Sequence, residues 1–119
     1  MYLKRICFLL AMLLISATAF AAPTVPAPNM VTMVDIGSKN CIPCKMMAPI
    51  LEKLEKDYEG KAAIIFIDIR EDVSQAQKYG IRTIPTQIFY DKTGTEISRH
   101  EGYMDEQTIK NIIDPLIAN

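Results

Sequence analysis

Cys41 and Cys44 are separated by Ile42 and Pro43 in the stretch SKNCIPCKMMAPILEKL, from Ser38 to Leu54. Two thiols at that spacing have three chemistries open to them. They can share a metal ion, close a small structural disulfide, or cycle between dithiol and disulfide and so carry two electrons. A structural zinc site takes four ligands, commonly two such pairs, whereas here one pair stands with one distant histidine, His100. A soft ion such as Cu(I) can use two thiolates, with Met46 and Met47 as the nearby thioethers. A staple across so short a loop constrains little of the unfolded chain, because the entropic benefit grows with loop length.

The surroundings favour electron transfer. MVTMVDI, from Met30, reads as a short buried strand, and GSKN breaks it just before Cys41. Behind the cysteines, Met47, Ile50, Leu51, Leu54 and Tyr58 form one helical stripe, while Glu52 and Lys56 on the other face stand in the favourable i,i+4 order. Cys41 is thus expected at a helix N-terminus, where unpaired N–H groups and the macrodipole favour a thiolate. Cys44 falls one turn later, within reach of Cys41, and is the resolving partner. Pro43 suits the first turn, where a missing N–H costs nothing. Pro49 is expected to kink the helix, and Gly60 to end it.

Further along, the nearly continuous apolar run KAAIIFIDI (61–69) predicts a central strand covered on both faces. EDVSQAQKYG (71–80) reads as a short helix stopped by Gly80, and a strand begins near Pro85. KTG (92–94) is a turn into a second strand, making an antiparallel hairpin. Asp105 is the expected N-cap of a last helix with Ile109, Ile112, Ile113 and Leu116 on one stripe; Pro115 is expected to fray or bend its end. The order β-α-β-α-β-β-α predicts an α/β fold, a central four-stranded mixed sheet flanked by helices on both faces.

The first residues are set apart from this pattern. Lys4 and Arg5 precede the apolar run ICFLLAMLLI, and the small residues SATAFA follow, with Ala19 and Ala21 at the −3 and −1 positions of an A-x-A site. Residues 1–21 therefore read as a cleaved secretory signal, the apolar run being short for a membrane span of about 20 residues; an uncleaved membrane anchor is the alternative. Cys7 lies in that run and leaves with it. Removal of Lys4 and Arg5 takes the formal charge from −1 to −3. Residues 22–29, APTVPAPN, hold three prolines and read as an extended flexible segment. The folded domain is expected over 30–119, in a compartment where disulfides persist, the bacterial periplasm. A single small domain with no block of basic residues gives no basis for nucleic-acid binding and is expected to be a monomer.

CIPCKMMAPILEKLEKDYEGK resembles the active-site helix of thioredoxin, including the lysine after the second cysteine and the proline within the helix. YGIRTIPT resembles that family's second signature, and the spacing between the two motifs is similar. The resemblance runs from about Val31 to the C-terminus and implies the thioredoxin fold without its N-terminal strand and helix. It implies a protein-disulfide oxidoreductase that needs no cofactor beyond its own redox-active Cys41–Cys44 disulfide. Cys41 matches the attacking cysteine, Cys44 the resolving one, and Pro85 the cis-proline beside them. Asp35, six residues before Cys41 and in phase with Val31 and Met33, matches the buried acid that relays a proton. Ile42, Pro43 and Ile84 match positions that meet substrate. Asn40 stands where the family has tryptophan, Ile42 where it has glycine, and Phe66 where it has the lysine accompanying the acid. His100 is expected on the surface, without a catalytic role.

Relatives that oxidise thiols usually carry histidine between the cysteines; Ile42 and Pro43 are closer to the reducing pattern. The resemblance thus implies a reductant of protein disulfides, fed by a membrane-embedded electron donor, with a disulfide oxidase or isomerase and a copper- or zinc-binding module as the alternatives.

Overall fold

The computed structural model describes residues 23–119; the expected signal segment, with Cys7, lies outside the described residues. The elements follow the expected order: β1 (Val31–Gly37), α1 (Ile42–Asp57), β2 (Ala62–Asp68), α2 (Ser74–Lys78), β3 (Thr86–Tyr90), β4 (Glu96–Glu101) and α3 (Glu106–Ala118). The strands form one mixed sheet in the order β2-β1-β3-β4. β1 runs parallel to β2, joined through α1, and antiparallel to β3, which pairs antiparallel with β4.

Strand alternation divides the core in two. Val31 and Met33 of β1 and Phe89 of β3 face α1 and α3, where they meet Met47, Leu51, Leu54, Tyr58, Ile109 and Ile113. Met47 and Leu54 are fully buried, and burial of a side chain of that size contributes about 1.5–3 kcal/mol. Val34 and Ile36 of β1, with Ile88 and Tyr90 of β3, face the other way and are covered by Tyr79 and Ile81 around α2 and by Val25. β1 is buried along its whole length because both faces are covered and both edges paired.

β2 corrects the expectation of a central strand. It is an outer strand of the sheet, and only Ala62 along it is fully buried. The continuous apolar run reflects covered faces, with Ile64 against the α1 side and Ile65 and Ile67 against the other. Faces decide the residue types, whereas an unpaired edge leaves no mark on side-chain polarity.

The segment before β1 is tied to the domain. Val25 packs into the second core, and the Ala27 N–H donates to Thr32 Oγ1 at 3.0 Å. The Pro-rich composition implies an extended tether, but these contacts hold Val25 and Ala27 on the domain. Gly60, at φ +75°, follows the α1 C-cap Tyr58 and supplies the left-handed turn that leads into β2. α3 continues past Pro115 to Ala118, so the expected fraying there is not seen; Asp105 caps its start, accepting from Thr108 N–H at 3.0 Å.

Candidate active site

The junction of β1 and α1 places the two sulfurs. Ser38 accepts twice in this turn, through its carbonyl from Cys41 N–H (3.1 Å) and through Oγ from Asn40 N–H (3.2 Å). Cys41 is the extended N-cap of α1, and its Sγ accepts from Cys44 N–H at 3.2 Å. One of the free amides at the helix start is therefore aimed at the Cys41 sulfur. Pro43 lies in the first turn, where it removes no intrahelical bond. Cys41 and Cys44 are joined as a disulfide with their Cα atoms 5.2 Å apart.

The two cysteines differ in access. Cys44 is buried and Cys41 half-buried, next to Ile42, which is 75% exposed. Behind Cys44, between α1 and β2, lies a groove of about 280 Å³ with Leu51, Ile64 and Phe66 in its lining and charges of both signs, among them Lys45 and Glu52, in its wall. The Ile84–Pro85 peptide is cis. Pro85 is buried at the head of β3 and its carbonyl accepts from Gly102 N–H at 2.8 Å, while Thr86 Oγ1 donates to the Thr83 carbonyl at 2.7 Å. These bonds fix the loop that presents Ile84, which is half-buried.

Asp35 is completely buried in β1, on the face that meets α1. It is two residues from Gly37, whose α1-facing side touches the Cys44 sulfur, so one pleat of about 7 Å separates it from that contact. Oδ1 accepts from Gln87 Nε2 at 2.8 Å, and Oδ2 has no hydrogen-bond partner among the described residues. Burial pushes this carboxyl up to about 6, opposed by the Gln87 hydrogen bond.

Sequence reasoning missed two members of the polar row beside Asp35. Gln87 is fully buried in β3, where its Nε2 also meets Met47 Sδ at 3.1 Å. The Gln87 Oε1 lies 2.9 Å from Nδ1 of His100. His100 is half-buried, so its placement as a plain surface residue is corrected. The signal available was Gln87 itself, a long polar side chain in the otherwise apolar run QIFY, which burial obliges to find partners. Among the described residues, no group of three or more His, Cys, Asp or Glu side chains is arranged to hold a metal ion, and no helix is long and apolar enough to cross a membrane.

A half-exposed sulfur at a helix N-terminus, a buried sulfur one turn on and a mixed four-stranded sheet define a thiol–disulfide oxidoreductase. Comparison with known proteins agrees. The thioredoxin family model matches residues 12–115. Over 84 residues the chain is 40% identical to the thioredoxin of Staphylococcus aureus strain N315, covering 71% of this chain and 80% of that one; the thioredoxin of strain MW2 gives the same values. Among solved structures, chloroplastic thioredoxin z superposes with a TM-score of 0.69 at 24% identity, over 76% of this chain and 81% of that one, a likeness of fold. A point mutant of the thioredoxin from Halobacterium salinarum NRC-1 superposes with a TM-score of 0.67 at 30% identity, over 75% of this chain and 76% of that one. The chain belongs to the thioredoxin family. Its Cys41–Cys44 pair is the redox couple of a disulfide reductase acting on protein thiols and disulfides.

Proposed function

We propose that this protein reduces disulfides in protein substrates outside the cytoplasmic membrane, in the periplasm, and is itself reduced by a membrane-embedded donor. The observation that carries the mechanism is the difference in access between the two sulfurs, with a buried carboxyl one pleat from the inner one. In the dithiol form, the Cys41 thiolate attacks a substrate disulfide, forming a mixed disulfide and releasing one substrate thiolate. Asp35 takes the proton from the Cys44 thiol through a bridging water. The Cys44 thiolate then attacks the Cys41 sulfur, which releases the second substrate thiolate and leaves the Cys41–Cys44 disulfide. Two electrons pass from the dithiol to the substrate; the Cys44 proton held by Asp35 and the proton that Cys41 gave to water on ionising balance the two substrate thiolates.

Substrate meets the exposed Ile42, Pro43 and the loop before β3. Among the described residues, no hydrogen bond within the chain uses the backbone N–H or C=O of Ile84, which leaves both to an extended substrate strand beside Pro85. With no histidine or other cation between the cysteines, the thiolate gains little beyond the helix N-terminus. That favours a potential near the thioredoxin value of about −270 mV over that of a strong oxidant near about −120 mV. The export reading rests on the charged, apolar and small-residue order of residues 1–21.

Redox titration of the Cys41–Cys44 couple tests direction: a potential above about −180 mV transfers the protein to the oxidases and isomerases. Cys41→Ser is expected to abolish insulin reduction, and Cys44→Ser to accumulate mixed disulfides with substrates. Full activity in both variants rejects the mechanism. N-terminal sequencing of the protein from a periplasmic fraction is expected to begin at Ala22; a full-length, membrane-bound chain overturns the cleaved form.

A further inference from the structure

Phe66, Asp35, Gln87 and His100 occupy one row across the sheet, as successive cross-strand partners of β2, β1, β3 and β4. On the Gln87 side the row is continuously hydrogen-bonded, from the Asp35 carboxyl through the Gln87 amide to the imidazole. We propose that Asp35, Gln87 and His100 act as one coupled unit, in which the Gln87 amide transmits the protonation state of the buried carboxyl to His100 at the outer strand. This rests on the reading of Asp35 as the proton relay of the dithiol. It makes His100 and Gln87 positioning residues for that step.

The coupling follows from the chemistry of one amide. Gln87 Nε2 can only donate and Oε1 can only accept. With Nε2 turned to Asp35 and Met47, Oε1 faces His100, whose Nδ1 must then carry a proton. An ionised Asp35 can only accept, so it favours this orientation. A protonated Asp35 keeps an accepting oxygen and gains an O–H, so it also permits the reverse, with Oε1 towards Asp35 and Nε2 towards an unprotonated Nδ1, which the carboxylate excludes. The amide dipole therefore links a charged carboxylate to a proton on His100 Nδ1, a requirement that a neutral carboxyl lifts.

The other charges around the row are engaged elsewhere. Arg99 and Glu101 flank His100 on β4. Arg99 binds Glu96 and the Tyr79 carbonyl, and Glu101 binds Arg82. From α1 and α3, Lys53, Asp57, Glu106 and Lys110 pair among themselves. β2 presents Phe66 to Asp35 across the register, and α1 presents Met47 to Gln87. His100 is left as the titratable group that the row joins to the buried acid.

The test is a pair of titrations on the oxidised protein, following the Asp35 carboxyl carbon and the His100 ring by NMR. In Asp35→Asn, His100 is expected to titrate at lower pH than in the wild type. In His100→Phe, Asp35 is expected to titrate at higher pH, by the same amount, because coupling between two sites is reciprocal. Gln87→Met severs the row, so adding Asp35→Asn to it should move His100 no further. The pH profile of insulin reduction in His100→Phe should shift with the Asp35 titration. If His100 titrates at the same pH with and without the Asp35 carboxyl, the coupled unit is rejected, and the two single variants decide this even if Gln87→Met does not fold. Neither titration involves turnover, so reciprocal shifts in a protein lacking reductase activity would keep the row and reject the proposed reaction.

Discussion

Gly37 and Cys44 meet across the strand–helix junction so closely that a Cβ on Gly37 would lie 3.0 Å from the cysteine sulfur. The same atom would stand 3.3 Å from the Phe66 ring. In the disulfide form that sulfur is tied to Cys41 and cannot swing aside, whereas in the dithiol it is free of that link. Gly37→Ala therefore penalises the oxidised form more than the reduced one. The expected cost is about 1–3 kcal/mol of overpacking in the oxidised protein, and the potential should rise by up to about 60 mV. Thermal unfolding of both redox forms, with a glutathione redox titration, measures the two effects separately.

Burial gives Asp35 a stability signature of its own. An acid held above its ordinary value keeps its proton more tightly in the native chain than in the unfolded one. The associated stability is complete below about pH 4, where both states are protonated, and is lost as pH rises through about 6. Between about pH 4 and pH 8 the oxidised wild type should lose about 3 kcal/mol relative to Asp35→Asn, whatever the offset between the two at low pH. The surface aspartates Asp68, Asp91 and Asp105 are held below the usual carboxylate range by hydrogen bonds, so their contribution is lost below this window. Denaturant midpoints taken across the pH range check the difference; parallel curves for the two proteins would contradict the burial cost.

The far end of α1 is secured by Tyr58, whose hydroxyl donates to Asp114 of α3 at 2.5 Å while its ring is buried in the core. Tyr58→Phe keeps the ring and removes the donor, and a hydrogen bond to a charged acceptor is worth about 1.5–3 kcal/mol. The variant should lose stability within that range with the dithiol chemistry unchanged. Combined with Asp114→Asn it should lose less than the two single effects added.

The order of elements was legible because each carries its own local signal. The Met47, Leu51 and Leu54 stripe builds α1, the β-branched run around Val34 builds β1, and Asp105 caps α3. Cys41 and Cys44 were legible because the spacing and the helix start occur together in one stretch. What was not legible depends on pairing between distant segments. Nothing in KAAIIFIDI says that its outer edge lacks a partner, since side chains report covered faces and the backbone alone reports the edge. The Asp35–Gln87–His100 row needs the register of three strands, up to 65 positions apart. His100 therefore reads as a lone surface residue until β4 is set against β3.

Phe66 occupies the opposite flank of Asp35 from Gln87, at the cross-strand position on β2. It is 38% exposed, and its ring reaches the Gly37–Cys44 contact, so it shields the carboxyl on that side without offering a charge. Phe66→Lys would bring an ammonium beside the buried acid, and an opposite charge within about 4–6 Å lowers a carboxyl pKa. Phe66→Met removes the ring without adding charge and separates the effect of lost cover from that of the cation. The Asp35 titration is expected to move to lower pH in both variants, and further in Phe66→Lys. The lower pH limit of single-turnover disulfide reduction should then move down with the carboxyl, because Asp35 must be ionised to accept the Cys44 proton. Equal titrations in the lysine and methionine variants would mean that the side chain at 66 points its charge into water, away from Asp35.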